Sequence, residues 1–80
     1  MMQPDTIKQL IEAGLEGSKA FVDGDGHHFE AVIVSDAFAG KTMVQQHQLV
    51  YQALGDKMKA EIHALSMKTL TPEQYQQQQC

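Results

Sequence analysis

The run HFEAVIVS, His28–Ser35, has apolar side chains on both faces, and that restricts where it can sit in any fold. Phe29, Ala31 and Ile33 share one side of an extended chain, while Val32 and Val34 share the other. A strand that is apolar on both sides is expected at the centre of a sheet, covered on at least part of each face. Just before it, Asp23–Gly26 reads DGDG and separates it from a second β-leaning run, Lys19–Asp23. Asp-Gly pairs supply the positive φ of tight strand turns, so the two runs predict an antiparallel hairpin.

Helical patterns flank the hairpin. Pro4 suits a helix start, and Ile7, Leu10, Ile11 and Leu15 recur at helical spacing until Gly14 and Gly17 end the pattern. After Asp36–Ala39, a second helix begins near Lys41 or Thr42 with a stripe of Val44, His47, Val50, Tyr51 and Leu54, and Gly55 is its stop. Asp56 is placed to cap a short third helix, Lys57 to Glu61. Ile62 to Thr69 then alternates as a strand, with His63, Leu65 and Met67 on one face. Thr71 and Gln74 form a capping-box start for a last helix, which gives way to the Gln76–Gln79 run.

The predicted order is α-β-β-α-α-β-α, an α+β arrangement with a three-stranded mixed sheet. Its strand order is 1-2-3, the second strand central and the third parallel to it through a right-handed crossover. Helices on one side of three strands resemble the K-homology-like fold of class II. Residues 1–75 are expected to form one domain, and 76–80 a flexible glutamine-rich tail.

Composition narrows the function classes. Eighty residues with 42% apolar and 20% charged content suit one small folded domain. No apolar run approaches the roughly 18 residues of a membrane span. MMQPDTIKQ lacks the basic and apolar regions of a signal peptide, so the expected address is the cytosol, with no membrane association. A single cysteine, Cys80 at the end, excludes a disulfide within the chain. The net charge of −4 and the absence of arginine work against general nucleic-acid binding, whose affinity comes from neutralised phosphates. Most acids lie in the first 36 residues, and Lys41, Lys57, Lys59 and Lys68 cluster later; a mildly basic face is one reading of that segment, and a solvated helix face the plainer one.

Four histidines are the candidate chemistry. His63, at a strand entrance, is either a metal ligand or an exposed imidazole bonded to backbone. His27 and His28 flank the turn, and adjacent strand residues point to opposite faces, so both rarely bind one metal. DGDGHH lacks the later bidentate Glu of a calcium loop. His47, among apolar neighbours, is read as structural. There is no GxSxG, P-loop or dinucleotide fingerprint, and an enzyme is not expected.

FAGK at Phe38–Lys41, VQQHQLVYQALG at Val44–Gly55 and IHALSMKTLTPEQ at Ile62–Gln74, in this order and spacing, resemble the BolA family. The short DGDGHHF loop is similar to its small YrbA-like (IbaG-like) bacterial branch. The resemblance implies a non-enzymatic partner of a monothiol glutaredoxin, the pair holding a glutathione-ligated [2Fe–2S] cluster, for cluster trafficking or iron sensing. It makes His63 the cluster ligand and draws a second from the hairpin loop. The family's loop cysteine falls near Asp25 here, so Asp25, His27 and His28 stand as alternatives for that ligand. Imidazole in place of thiolate is known cluster ligation and raises the reduction potential. By itself the chain is expected to be a monomer or a weak homodimer.

The rival implication is a DNA-binding regulator using the helix-turn-helix of residues 41–61, with Lys41, Lys57 and Lys59 on phosphate. Where many relatives read RHR, this chain has Gln46-His47-Gln48, and the K-homology GXXG loop is matched by Gly55-Asp56-Lys57-Met58 without its second glycine.

Overall fold

The computed structural model describes residues 3–15, 17–25, 27–58 and 64–79, and of residues 57, 58 and 79 the backbone alone. Helix α1 spans Pro4–Gly14, strands β1 and β2 span Lys19–Gly24 and Phe29–Val34, and helix α2 spans Met43–Leu54. Strand β3, Leu65–Leu70, and helix α3, Pro72–Gln79, complete the chain. Single 3₁₀ turns occupy Asp36–Phe38 and Gly55–Met58.

The sheet has the expected order β1-β2-β3. β1 pairs antiparallel to β2 from Lys19↔Val34 to Gly24↔Phe29. β3 runs parallel to β2 from Phe29↔Leu65 to Val34↔Leu70. The two-faced apolar pattern of β2 therefore reports its central place: Phe29, Ala31, Ile33 and Val34 are all buried, and Val32 is half-buried.

One face of the sheet carries the main core. Ile7 and Ile11 of α1 and Val50 and Leu54 of α2 pack with Ala20, Phe29, Ala31, Ile33 and Leu65. Phe38, delivered by the first 3₁₀ turn, is fully buried in the same cluster. Each such large side chain contributes about 1.5–3 kcal/mol on leaving water.

Gly14 does more than end α1. A Cβ there would lie 2.7 Å from the Ala53 Cα, so the missing side chain lets α1 and α2 approach backbone to backbone. Helix α2 starts at a capping box that the sequence reading passed over: Thr42 Oγ1 accepts from Gln45 N–H at 3.2 Å, and Gln45 Oε1 accepts from Thr42 N–H at 3.0 Å. The box expected at Thr71 and Gln74 is present in the same two-way form.

Three expectations are corrected. The buried side of α2 is turned roughly a quarter of a revolution from the predicted stripe. Val50 and Leu54 are buried with Leu49 and Ala53 beside them, whereas Val44 is 67% exposed and Tyr51 faces solvent. His47, placed on that stripe and read as structural, is half-buried at its margin and absent from the core cluster. The cause is Gln46, whose amide faces inward: it donates to the carbonyls of Phe38 (3.1 Å) and Lys41 (3.0 Å) and accepts from Thr69 Oγ1 (2.6 Å). That one polar side chain ties α2 to the loop before it and to β3.

The predicted helix Lys57–Glu61 is the second correction. Gly55–Met58 is a 3₁₀ turn with Asp56 inside it rather than before it, and the rest of that helix lies outside the described residues. Third, α3 continues through the glutamine run to Gln79, though its residues Gln76, Gln77 and Gln78 are exposed and belong to no core. It also departs from the one-sided arrangement of α1 and α2. Phe21 lies between Ala20 and Val22, which both pack on the core, and so points to the opposite face. Tyr75 of α3 stacks on it there, with ring centroids 5.6 Å apart and planes at 14°.

At an uncrowded helix position Gly→Ala stabilises by about 1 kcal/mol. Gly14→Ala is expected to do the reverse, lowering stability by about 1–3 kcal/mol as the helices are forced apart. Urea unfolding of the variant checks the sign. Gln46→Ala strips three hydrogen bonds at once and should cost about 1–3 kcal/mol in the same assay, with Gln46→Glu failing to restore it because both donors are lost.

Candidate functional site

The hairpin loop between β1 and β2 is built around Asp25. Its Oδ1 accepts from the backbone N–H of His27 at 2.8 Å and of His28 at 3.0 Å, while its own N–H donates to the His28 carbonyl at 3.2 Å. Donation from His28 and then His27 holds the Asp25 carboxyl below its usual range. Gly24 shapes the same turn: a Cβ there would stand 2.5 Å from the His28 oxygen and 2.6 Å from the Phe29 ring. A side chain at position 24 would push the strands apart where they meet.

Asp25, His27 and His28 are thus brought together by the turn, and all three are exposed. Neither imidazole has a hydrogen-bond partner among the described residues, so both are available as ligands. His28 lies in a shallow hollow of about 320 Å³ with Asp23, Asp25 and Glu30. Asp25 already spends one oxygen on its own loop.

His63 lies outside the described residues. β3 opens at Leu65 opposite Phe29, so Leu65 stands at the same end of the sheet as the hairpin loop. Among the described residues, no group of three His, Cys, Asp or Glu is placed to hold a metal.

The lysines proposed for nucleic acid are not brought together by what is described. Lys41 is exposed at the other end of β2, in the loop that Gln46 clamps. The side chain of Lys57 and all of Lys59 lie outside the described residues. Among the described residues, no helix is long and apolar enough to cross a membrane. Gln46 is the residue that sequence reasoning missed; a glutamine flanked by the helix's apolar positions was its only signal.

Because Asp25 titrates below its ordinary value in the folded loop, its contribution is complete above pH 3.8 and is lost as pH falls through the lowered folded value. Hydrogen exchange should therefore show the His27 and His28 amides keeping their protection at mildly acid pH and losing it only under stronger acid. Asp25→Ala should remove that protection at neutral pH and leave exchange in β2 unchanged.

A family model described as BolA-like protein matches residues 10–74. The structure of a bolA protein homologue from Coxiella burnetii superposes with a TM-score of 0.85 at 51% identity, over 95% of this chain and 99% of that one. "DNA-binding transcriptional regulator BolA" of Vibrio cholerae is 36% identical over 94% of this chain and 68% of its own length. "SufE-like protein 1, chloroplastic/mitochondrial" of Arabidopsis thaliana is 44% identical over 75% of this chain, which spans only 16% of that larger protein. A match across most of the chain, with the same three-stranded sheet and helices, means that this protein belongs to the BolA family.

Proposed function

We propose that the protein is a non-enzymatic adaptor that binds a monothiol glutaredoxin and shares a [2Fe–2S] cluster with it, the cluster being cargo to be passed on or sensed. The observation that supports this reading is the parallel register Phe29↔Leu65, which puts the start of β3 at the same end of the sheet as the exposed imidazoles of the hairpin loop. Family membership and the IHAL motif nominate His63 as one ligand.

The loop suits the second. Imidazole is a known substitute for thiolate at such clusters. His28, unengaged and flanked by carboxylates, is the leading donor, His27 its neighbour, and Asp25 the least free because its Oδ1 holds the turn. The glutaredoxin thiolate and glutathione would supply sulfur. When bound, the cluster supplies a transferable iron–sulfur unit. What this chain would contribute is nitrogen donors, one of them from the hairpin loop at the end of the sheet where β3 begins.

The name of the Vibrio relative favours a second reading, a DNA-binding regulator. Net charge −4 and the lack of arginine weigh against it.

Anaerobic co-purification with a monothiol glutaredoxin and glutathione, read by visible absorption, is the test. A heterodimer is expected whose [2Fe–2S] spectrum differs from that of the glutaredoxin alone. His63→Ala should remove most of that signal without changing the unfolding midpoint, and His28→Ala should shift the spectrum more than His27→Ala. An unaltered spectrum with His63→Ala would sink the ligand assignment. A colourless mixture, together with duplex DNA affinity that falls steeply with salt, would put the regulator first.

A further inference from the structure

Among the described residues, strand β3 is paired on one side only, to β2, and its other edge is open. The Leu70 carbonyl accepts from Ser35 N–H at 3.0 Å, which fixes the alternation along the strand. Ser66, Lys68 and Leu70 turn their backbone groups toward β2, so Leu65, Met67 and Thr69 turn theirs outward. Those outward N–H and C=O groups have no hydrogen-bond partner among the described residues. Unpaired strand edges are templates for another extended chain.

Here the edge lies along a groove of about 450 Å³, bounded by Met43 and His47 of α2 and by Gln74 and Gln77 of α3. Met43 is 70% exposed, an apolar side chain held at the rim without a packing role. In a chain of net charge −4, no carboxylate among the described residues lines this groove, and Lys68 is the one fixed charge among them. A second copy pairing through the same edge would bring its own Lys68 to this one, positive against positive.

We propose that the β3 edge and the groove beside it bind a single extended peptide segment of a partner protein, with apolar side chains alternating with carboxylates. Its backbone adds a fourth strand to the sheet through Met67 and Thr69. One row of its side chains packs between Met43 and Met67, and a carboxylate meets Lys68. Main-chain bonds of this kind supply affinity, and the alternating side-chain contacts supply selectivity. The surface lies apart from the hairpin loop and does not depend on the cluster reading.

The probe is the peptide acetyl-Val-Glu-Val-Glu-Val-Glu-amide, titrated into the isotope-labelled full chain and followed by amide NMR. Saturable shifts are expected at Met67, Thr69 and the Gln74 turn, with slowed exchange of the Met67 and Thr69 amides. The lysine counterpart, with Lys at each Glu, should bind about threefold or more weakly at low salt, as should the parent peptide to Lys68→Glu. Of two peptides N-methylated at alternate amides, the one whose blocked amides face the edge should lose at least about tenfold in affinity. The proposal is overturned if the Met67 and Thr69 amides do not respond. It is equally overturned if both methylated peptides bind like the parent, or if the lysine peptide binds as well. Concentration-dependent shifts of the same amides without peptide would assign the edge to a second copy instead.

Discussion

The parallel pairing of β2 with β3 is the constraint on which the remaining structure depends. Two parallel neighbours cannot be joined by a tight turn, so residues 35–64 must cross from one end of the sheet to the other. That crossover carries α2, which lands on the core face and meets α1 where Gly14 leaves room for Ala53. The ladder also divides the molecule. One end gathers the hairpin loop and the entrance to β3; the other gathers the Phe38–Lys41 loop, Gln46 and the first turn of α3.

The two ends are held by different physics. At the Gln46 end, a partly buried amide uses both donor hydrogens and its oxygen, so the loop, the helix and β3 are fixed relative to one another. At the hairpin end, an exposed carboxylate holds the turn through backbone N–H groups alone. The first arrangement is rigid and inward; the second is a scaffold that leaves both imidazoles outside.

Much of this was legible in the chain. The two-faced apolar run placed β2 at the centre, DGDG placed the hairpin, and Thr71 with Gln74 placed the start of α3, each through a local rule. The α2 stripe was misplaced by a quarter turn because hydrophobic spacing ignores a buried glutamine and rewards Val44 and Tyr51, which the fold leaves at the surface. Gly14 was legible as a helix end but not as a crossing point, since the atom that needs the space belongs to a residue 39 positions on. The glutamine run, polar throughout, gave no apolar stripe from which to extend α3, yet its backbone continues the helix begun at the Thr71 cap. For the candidate site, the histidines were visible as ligand types, while the Asp25 turn that frees His27 and His28 was not.

Sequence by itself determined the three strands, the two longer helices, their order, the central strand and the family, because turns, caps and alternation are properties of neighbouring residues. Tertiary structure alone decided which side of α2 is buried, that α3 reaches under the sheet to stack Tyr75 on Phe21, and which backbone groups of β3 face outward. Those depend on contacts between residues far apart in the chain, which turn, cap and alternation patterns of neighbouring residues do not report.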